Sequence, residues 1–268
     1  DLAKFAIPVF WVDATSKKVL QYVVKPKRDT GMFVPLSLVD KFKKSTTFGV
    51  YGSNLLEGNF EEELISLLQS IITLKEQTDH PLLNKDTPLA LVTGGGPGAM
   101  AVGNRVAKKL NMLSCANIID FRQKDGSIVN EQHQNPHVEA KMTYHLDQLV
   151  ERQAEFHLDF PIFLMGGIGM DFEYSLEEVR KKVGSPPPYP IMLFGEKKYW
   201  SAKLTSRFQQ NLQSGTIQGS EWVSNCFYCI QTAEQGIAVY RDFFLGKLPI
   251  GPEGPTYSDG FATVPNDI

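Results

Sequence analysis

The chain has 268 residues, of which 42% are hydrophobic and 21% charged, and it carries a formal net charge of −3. That length buries a full hydrophobic core, so a globular protein with one main domain is expected. The slightly acidic balance excludes the basic surface that a nucleic-acid backbone or an anionic membrane selects, which leaves small molecules or proteins as partners.

In chain order, Phe5 to Lys25 alternates apolar and polar residues around "DATSKK" and reads as a hairpin, so residues 1–45 are expected to form a small β appendage. From Thr46 the pattern becomes alternating strands and helices. "TTFGVYGS" is a buried strand, and Leu64, Leu67, Leu68, Ile71 and Ile72 mark a helix at i, i+3, i+4, i+7, i+8 spacing. "PLALVTGGGPGAMAVGNRVAKKL" reads as strand, glycine turn and helix, and "MLSCANIIDF" as the next strand. The polar span from Arg122 to Ala140 lacks periodicity and is expected to be a long functional loop. "YHLDQLVERQAEFH" reads as a helix, and "PIFLMGGIGMDFEYSLEEVRKKV" as a second strand, glycine turn and helix, the helix starting near Asp171. After "GSPPPYP", strands at "IMLFG" and "VSNCFYCIQT" alternate with helices at "KYWSAKLTSRFQQNLQSG", closed by Gly215, and "AEQGIAVYRDFF". The glycine- and proline-rich tail, 246–268, is expected to be irregular. The alternation over 46–245 predicts a Rossmann-like, doubly wound, mostly parallel α/β sheet, with ligands at the carboxyl ends of its strands.

That rule singles out three segments: Gly52 and Ser53; Gly94, Gly95, Gly96 and Gly98, followed by Met100; and Gly166, Gly167 and Gly169, followed by Met170. Glycine turns that open helices present backbone N–H groups and the positive end of the helix dipole to a phosphate. "GGGPGA" also satisfies G-x-G-x-x-A, with Asp120 ending the next strand, so an NAD(P)-dependent oxidoreductase is a rival reading. Against it, the motif is not on the first strand of the alternation, and the second glycine turn is left unexplained.

"YGS", "TGGGPGAM", "ERQAEF" and "MGGIGMDFE" occur in the order in which the Lonely Guy family, also labelled lysine decarboxylase-like, carries a GS strand end, a GGGxxGLM loop, an ERKAEM helix and a PGGxGTxxE turn. The chain resembles that family from about Thr46 to Phe244. The resemblance implies a Rossmann-like homodimer that hydrolyses the N-glycosidic bond of a nucleoside 5'-monophosphate to free base and ribose 5-phosphate, without a cofactor. It implies Arg152 and Glu173 as the catalytic pair, with the glycines, Ser53, Met100 and Met170 as substrate-binding positions. Gln153, Met165 and Met170 depart from the family's lysine, proline and threonine. The loss of a cation and a hydroxyl keeps a second class in play, a non-enzymatic nucleotide or cofactor carrier of the same fold. Nothing marks a lysine for a pyridoxal Schiff base.

The reaction needs a carboxylate near C1', because positive charge builds on the sugar as the base departs. Read without the resemblance, Glu173 is an acid in a first helical turn, stabilised there by about 0.3–1 kcal/mol, and Arg152 is a surface partner of Glu151 or Glu155. No metal site is expected: "HQNPH" brings His133 and His137 to i, i+4 spacing, but Pro136 makes it a loop, and His80, His145 and His157 complete no ligand set. Cys115, Cys226 and Cys229 are too few for a disulfide framework, and one CxxC completes no zinc site, so a reducing, cytoplasmic setting is expected. No stretch reaches the roughly 20 apolar residues of a membrane span or reads as a signal peptide, and the start at Asp1 without Met leaves room for preceding residues.

Overall fold

The computed structural model describes residues 7–14, 16–26, 28, 30–53, 60–129 and 133–264. Phe5, where the expected hairpin begins, part of the 122–140 span and the end of the tail lie outside them. The chain divides into two compact units, Asp1–Gly49 with Asp86–Leu158, and Val50–Lys85 with Asp159–Ile268.

In the first unit, β1 (Phe10–Val12), β2 (Val19–Val24) and β3 (Gly31–Pro35) form an antiparallel meander, registered by Trp11 opposite Leu20 and Tyr22 opposite Phe33. β3 pairs antiparallel with β9 (Ala140–Tyr144) through Phe33 and Lys141. β9 then runs parallel to β6 (Leu113–Ile119), β6 to β5 (Leu89–Thr93), and β5 to β4 (Thr46–Tyr51) along Thr46–Gly49. All of β4 and β5 is buried, as expected of parallel strands covered on both faces. Helices α1 (Val39–Lys44), α3 (Ala99–Lys109) and α4 (Leu149–Ala154) belong to this unit, with α3 packed on β5 and β6.

In the second unit, β10 (Phe160–Phe163), β11 (Ile191–Phe194), β12 (Phe227–Ile230) and β13 (Ala262–Thr263) run parallel to one another. Leu164 N–H donates to Tyr51 O at the end of β4, at 2.8 Å. Four helices cover these strands: α2 (Phe60–Leu74), α5 (Ile168–Lys182), α6 (Lys197–Gln213) and α7 (Ala233–Phe244). α2 buries Leu64, Leu67, Leu68 and Ile71 of the predicted stripe and leaves Ile72 half-buried, and Gly236 of α7 lets that helix approach Leu67, where a Cβ would come within 2.8 Å of its side chain. The alternation of parallel strands and helices is that of a Rossmann-like, doubly wound α/β fold.

Three local readings need correction, the first being the tail expected to be irregular, which supplies β13 and pairs it with β12. The helix expected over 144–158 is only the six residues of α4: Tyr144 still belongs to β9, and a single 3-10 turn intervenes. His145 Nδ1 accepts from Asp147 N, and Gln148 Oε1 accepts from His145 N, so this capping box stops the strand before the helix begins. The apolar periodicity there is real, but Leu149 and Val150 face outward, exposed to 45% and 69%. The polar span 122–140 is not wholly irregular either, since β7 (Phe121–Arg122) pairs with β8 (Ile128–Val129) around Gly126.

A buried ion pair ties the N-terminal meander to the sheet. Lys141 Nζ, 2% exposed, lies 2.9 Å from Asp13 and 4.8 Å above the Trp11 ring. Burial pushes the Asp13 carboxyl up, but hydrogen bonds from Ser16 and Lys141 outweigh it and lower its pKa from 3.8 to about 2. The pair therefore contributes fully above the ordinary carboxylate range, and its contribution, roughly 2 kcal/mol, is lost as pH falls through the folded-state value. The gap in unfolding free energy between wild type and Asp13→Asn should shrink by about that amount between pH 6 and pH 2; a gap that stays constant over this range would assign the stability of the pair to packing alone.

Candidate functional site

The TGGGPG turn leaves β5 at Thr93 and enters α3 at Ala99, with positive φ at Gly95 (78°) and Gly98 (64°), conformations that other residues adopt only under strain. Gly94 is glycine for a different reason. A Cβ there would lie 2.6 Å from Arg152 Nη2 and 2.6 Å from Met100 Sδ, so the guanidinium and the thioether pack directly beneath the turn. Arg152 is therefore not a surface residue: it is 6% exposed. Its Nε donates to Asn117 O (2.9 Å), its Nη1 to Gln153 Oε1 (2.7 Å), and its Cζ lies 4.9 Å from the centre of the Phe156 ring. Gln153, which stands where the family has lysine, is 1% exposed and serves as a neutral acceptor for the arginine.

A buried network that sequence reading missed fixes this turn. Asn104 of α3 accepts from Thr93 Oγ1 (2.6 Å) and donates to Ser114 Oγ (2.9 Å) and Cys115 O (3.0 Å). Asn135 Nδ2 donates to Asn104 Oδ1, Gly96 O and Gly95 O, at 2.9 to 3.0 Å. Thr93 Oγ1 accepts the Gly95 N–H at 3.0 Å. The N–H groups of Gly96 and Gly98 have no partner among the described residues.

In the second unit the chain leaves β10 through Met165 and enters α5 at Ile168, earlier than the expected Asp171. Gly166 is closely packed: a Cβ would lie 2.7 Å from Met170 Cβ and 3.2 Å from Ser53 N, while Ser53 N–H donates to Met165 O at 3.2 Å. Met170 is buried under the turn. Tyr199 of α6 brackets Gly166, its hydroxyl accepting from Gly166 N (2.9 Å) and donating to Gly166 O (2.6 Å). Gly167 and Gly169 contrast with it, because a Cβ on either would meet nothing within 4 Å. Neither carries a positive φ, so neither is required by its φ or by packing against the described residues. The N–H groups of Gly167, Ile168 and Gly169, the first donors of a 15-residue helix, have no partner among the described residues. Half-buried Glu173 follows one turn later. The next turn is anchored by Glu177, whose Oε1 accepts from Tyr51 Oη (3.3 Å) and Arg180 Nη1 (2.9 Å). Burial raises the Glu177 pKa, opposed by the charges of Arg180 and Lys181.

The structure thus gathers Gly94, Gly95, Gly96, Gly98, Met100 and Arg152 in the first unit, and Gly52, Ser53, Gly166, Gly167, Gly169, Met170 and Glu173 in the second. Beside the latter group lies a cavity of about 720 Å³, which the sequence did not announce. It opens at the carboxyl ends of β10, β11 and β12, at Met165, Gly195 and Gln231, and its walls include Phe60, Phe194 and Tyr199.

All three cysteines are free and buried, and burial pushes the Cys115 and Cys226 thiols up to about 12 and that of Cys229 to about 11. Among the described residues no group of His, Cys, Asp and Glu is arranged to hold a metal ion, and no helix is long and apolar enough to cross a membrane.

No protein-family model matches the chain, and no curated protein matches it in sequence. Solved structures similar to it include the molybdenum cofactor binding protein of the phototrophic bacterium Rippkaea orientalis, at 15% identity over 74% of this chain and 97% of that one, with a TM-score of 0.45. Another is the molybdenum cofactor carrier protein of Chlamydomonas reinhardtii, at 15% identity over 76% and 99%, with a TM-score of 0.46.

Proposed function

We propose that this chain is a Lonely Guy-type phosphoribohydrolase, which cleaves a nucleoside 5'-monophosphate with water into free base and ribose 5-phosphate. The observation that carries the reading is the start of α5: three N–H donors without a partner among the described residues, two glycines that no described residue packs against, and an acid one turn on. Open glycines let a phosphate approach the backbone, and the helix dipole favours its charge. In the reaction the C1'–N bond breaks, the base leaves with the electron pair and takes up a proton, and water adds its oxygen to C1'. Glu173 stabilises the cationic sugar and accepts the proton of that water. Arg152, held under the Gly94 turn, keeps a fixed positive charge behind its backbone donors.

A second reading, a carrier that binds a phosphorylated ligand without turnover, is favoured by Met170 and Gln153, which supply neither the hydroxyl nor the ammonium of the family's motifs. Incubation with a panel of nucleoside 5'-monophosphates and the matching nucleosides, read by chromatography, separates the two. Hydrolysis predicts base from at least one nucleotide and almost none from its nucleoside; saturable nucleotide binding with no base released selects the carrier.

The protein is further proposed to be a two-fold homodimer, with exposed Leu149 and Val150 of α4 in its interface. Leu149→Asp is expected to keep its circular dichroism and to sediment as a monomer at micromolar concentration, where wild type sediments as a dimer. A wild-type monomer at that concentration overturns the assembly and leaves the chemistry standing.

A further inference from the structure

The cavity of about 720 Å³ in the second unit has the size of a small-molecule site. Its walls suit a flat ring. Phe60 and Phe194 stand with their ring centres 5.9 Å apart at 75°, Tyr199 adds a third aromatic face, and Met165 offers a polarizable thioether. The cavity borders the Gly166 turn, because Met165 and Tyr199 line it while the Tyr199 hydroxyl holds both the N–H and the C=O of Gly166.

We infer that this cavity receives the heterocyclic base of the nucleotide whose phosphate lies at the Gly166–Gly169 turn, with Phe60, Phe194 and Tyr199 as ring contacts. The assignment rests on reading that turn as a phosphate site; it does not require hydrolysis. Met165, the departure from the family's proline, then belongs to the base pocket.

Ala202 provides the test, since it lines the cavity from the exposed side of α6, where a larger side chain displaces no core residue. AMP, GMP, CMP, UMP and ribose 5-phosphate would be mixed with wild type, Ala202→Leu and Ala202→Phe, with binding read by stopped-flow fluorescence before turnover and melting temperatures recorded alongside. At least one nucleotide should bind wild type, weaken several-fold in Ala202→Leu and about 10-fold or more in Ala202→Phe, while ribose 5-phosphate binds all three equally. Nucleotide affinity unchanged in Ala202→Phe, an equal loss for ribose 5-phosphate, or no nucleotide binding to wild type overturns the inference. Failure of the hydrolytic reading looks different: the binding pattern holds and no base is released.

Discussion

Glu173→Gln is expected to lower base release by about 10²-fold or more, with nucleotide binding nearly unchanged. The substitution preserves size and hydrogen-bonding capacity and removes only the charge. That charge is needed once the C1'–N bond stretches and the sugar becomes cationic, so the loss should fall on kcat rather than on KM. Half-buried Glu173 lies between the open glycines and the Glu177 anchor, and the anchor's bonds to Tyr51 and Arg180 are untouched by the change. Steady-state release of base, with affinity measured separately, gives the split. Full turnover in the variant would leave Glu173 as a dipole-stabilised acid and move the general base elsewhere.

The second large effect is on stability. Asn104→Leu keeps the volume of a fully buried side chain and deletes four hydrogen bonds at once, those to Thr93, Ser114, Cys115 O and Asn135. Leaving buried donors and acceptors unmet costs more than the bonds themselves contribute, so a loss of roughly 3 kcal/mol is expected in urea unfolding. The turn should loosen as well, because Thr93 and Asn135 are the groups that hold Gly95 and Gly96. Asn135→Ala should cost less, since it removes the clamp from the outside and spares the Asn104 bonds to Ser114 and Cys115. A loss under about 1 kcal/mol for Asn104→Leu would mean that water replaces the amide and that the network is not what fixes the turn.

The fold was legible because its signals are local. Short runs rich in apolar residues without a period-2 alternation, at β4, β5 and β6, mark strands buried on both faces, and the stripe of α2 marks a helix packed on one. The glycine turns were legible for the same reason. Helix 144–158 was overextended because Leu149 and Val150 keep a helical period while facing outward; period reports spacing, not which side is buried. Asn135 and Asn104 were invisible because they lie 31 residues apart in sequence, and a polar residue in a loop or on a helix looks solvated until its contact is seen. The aromatic cavity was missed because "FGEKKYW" resembles any strand-to-helix junction; only the folded chain brings Phe60 to Phe194.

The two compact units have a consequence for how the chain is made. Each is assembled from two separate stretches of sequence, and the boundary at Gly49 and Val50 falls inside one strand. During synthesis the first unit waits for residue 158, with residues 50–85 already emerged and lacking the strands they will join. α2 must keep its apolar face of Leu64, Leu67, Leu68 and Ile71 out of wrong associations until α7 is translated more than a hundred residues later. No single contiguous fragment carries either unit whole, and because their segments alternate along the chain, neither a truncation nor a circular permutation isolates one.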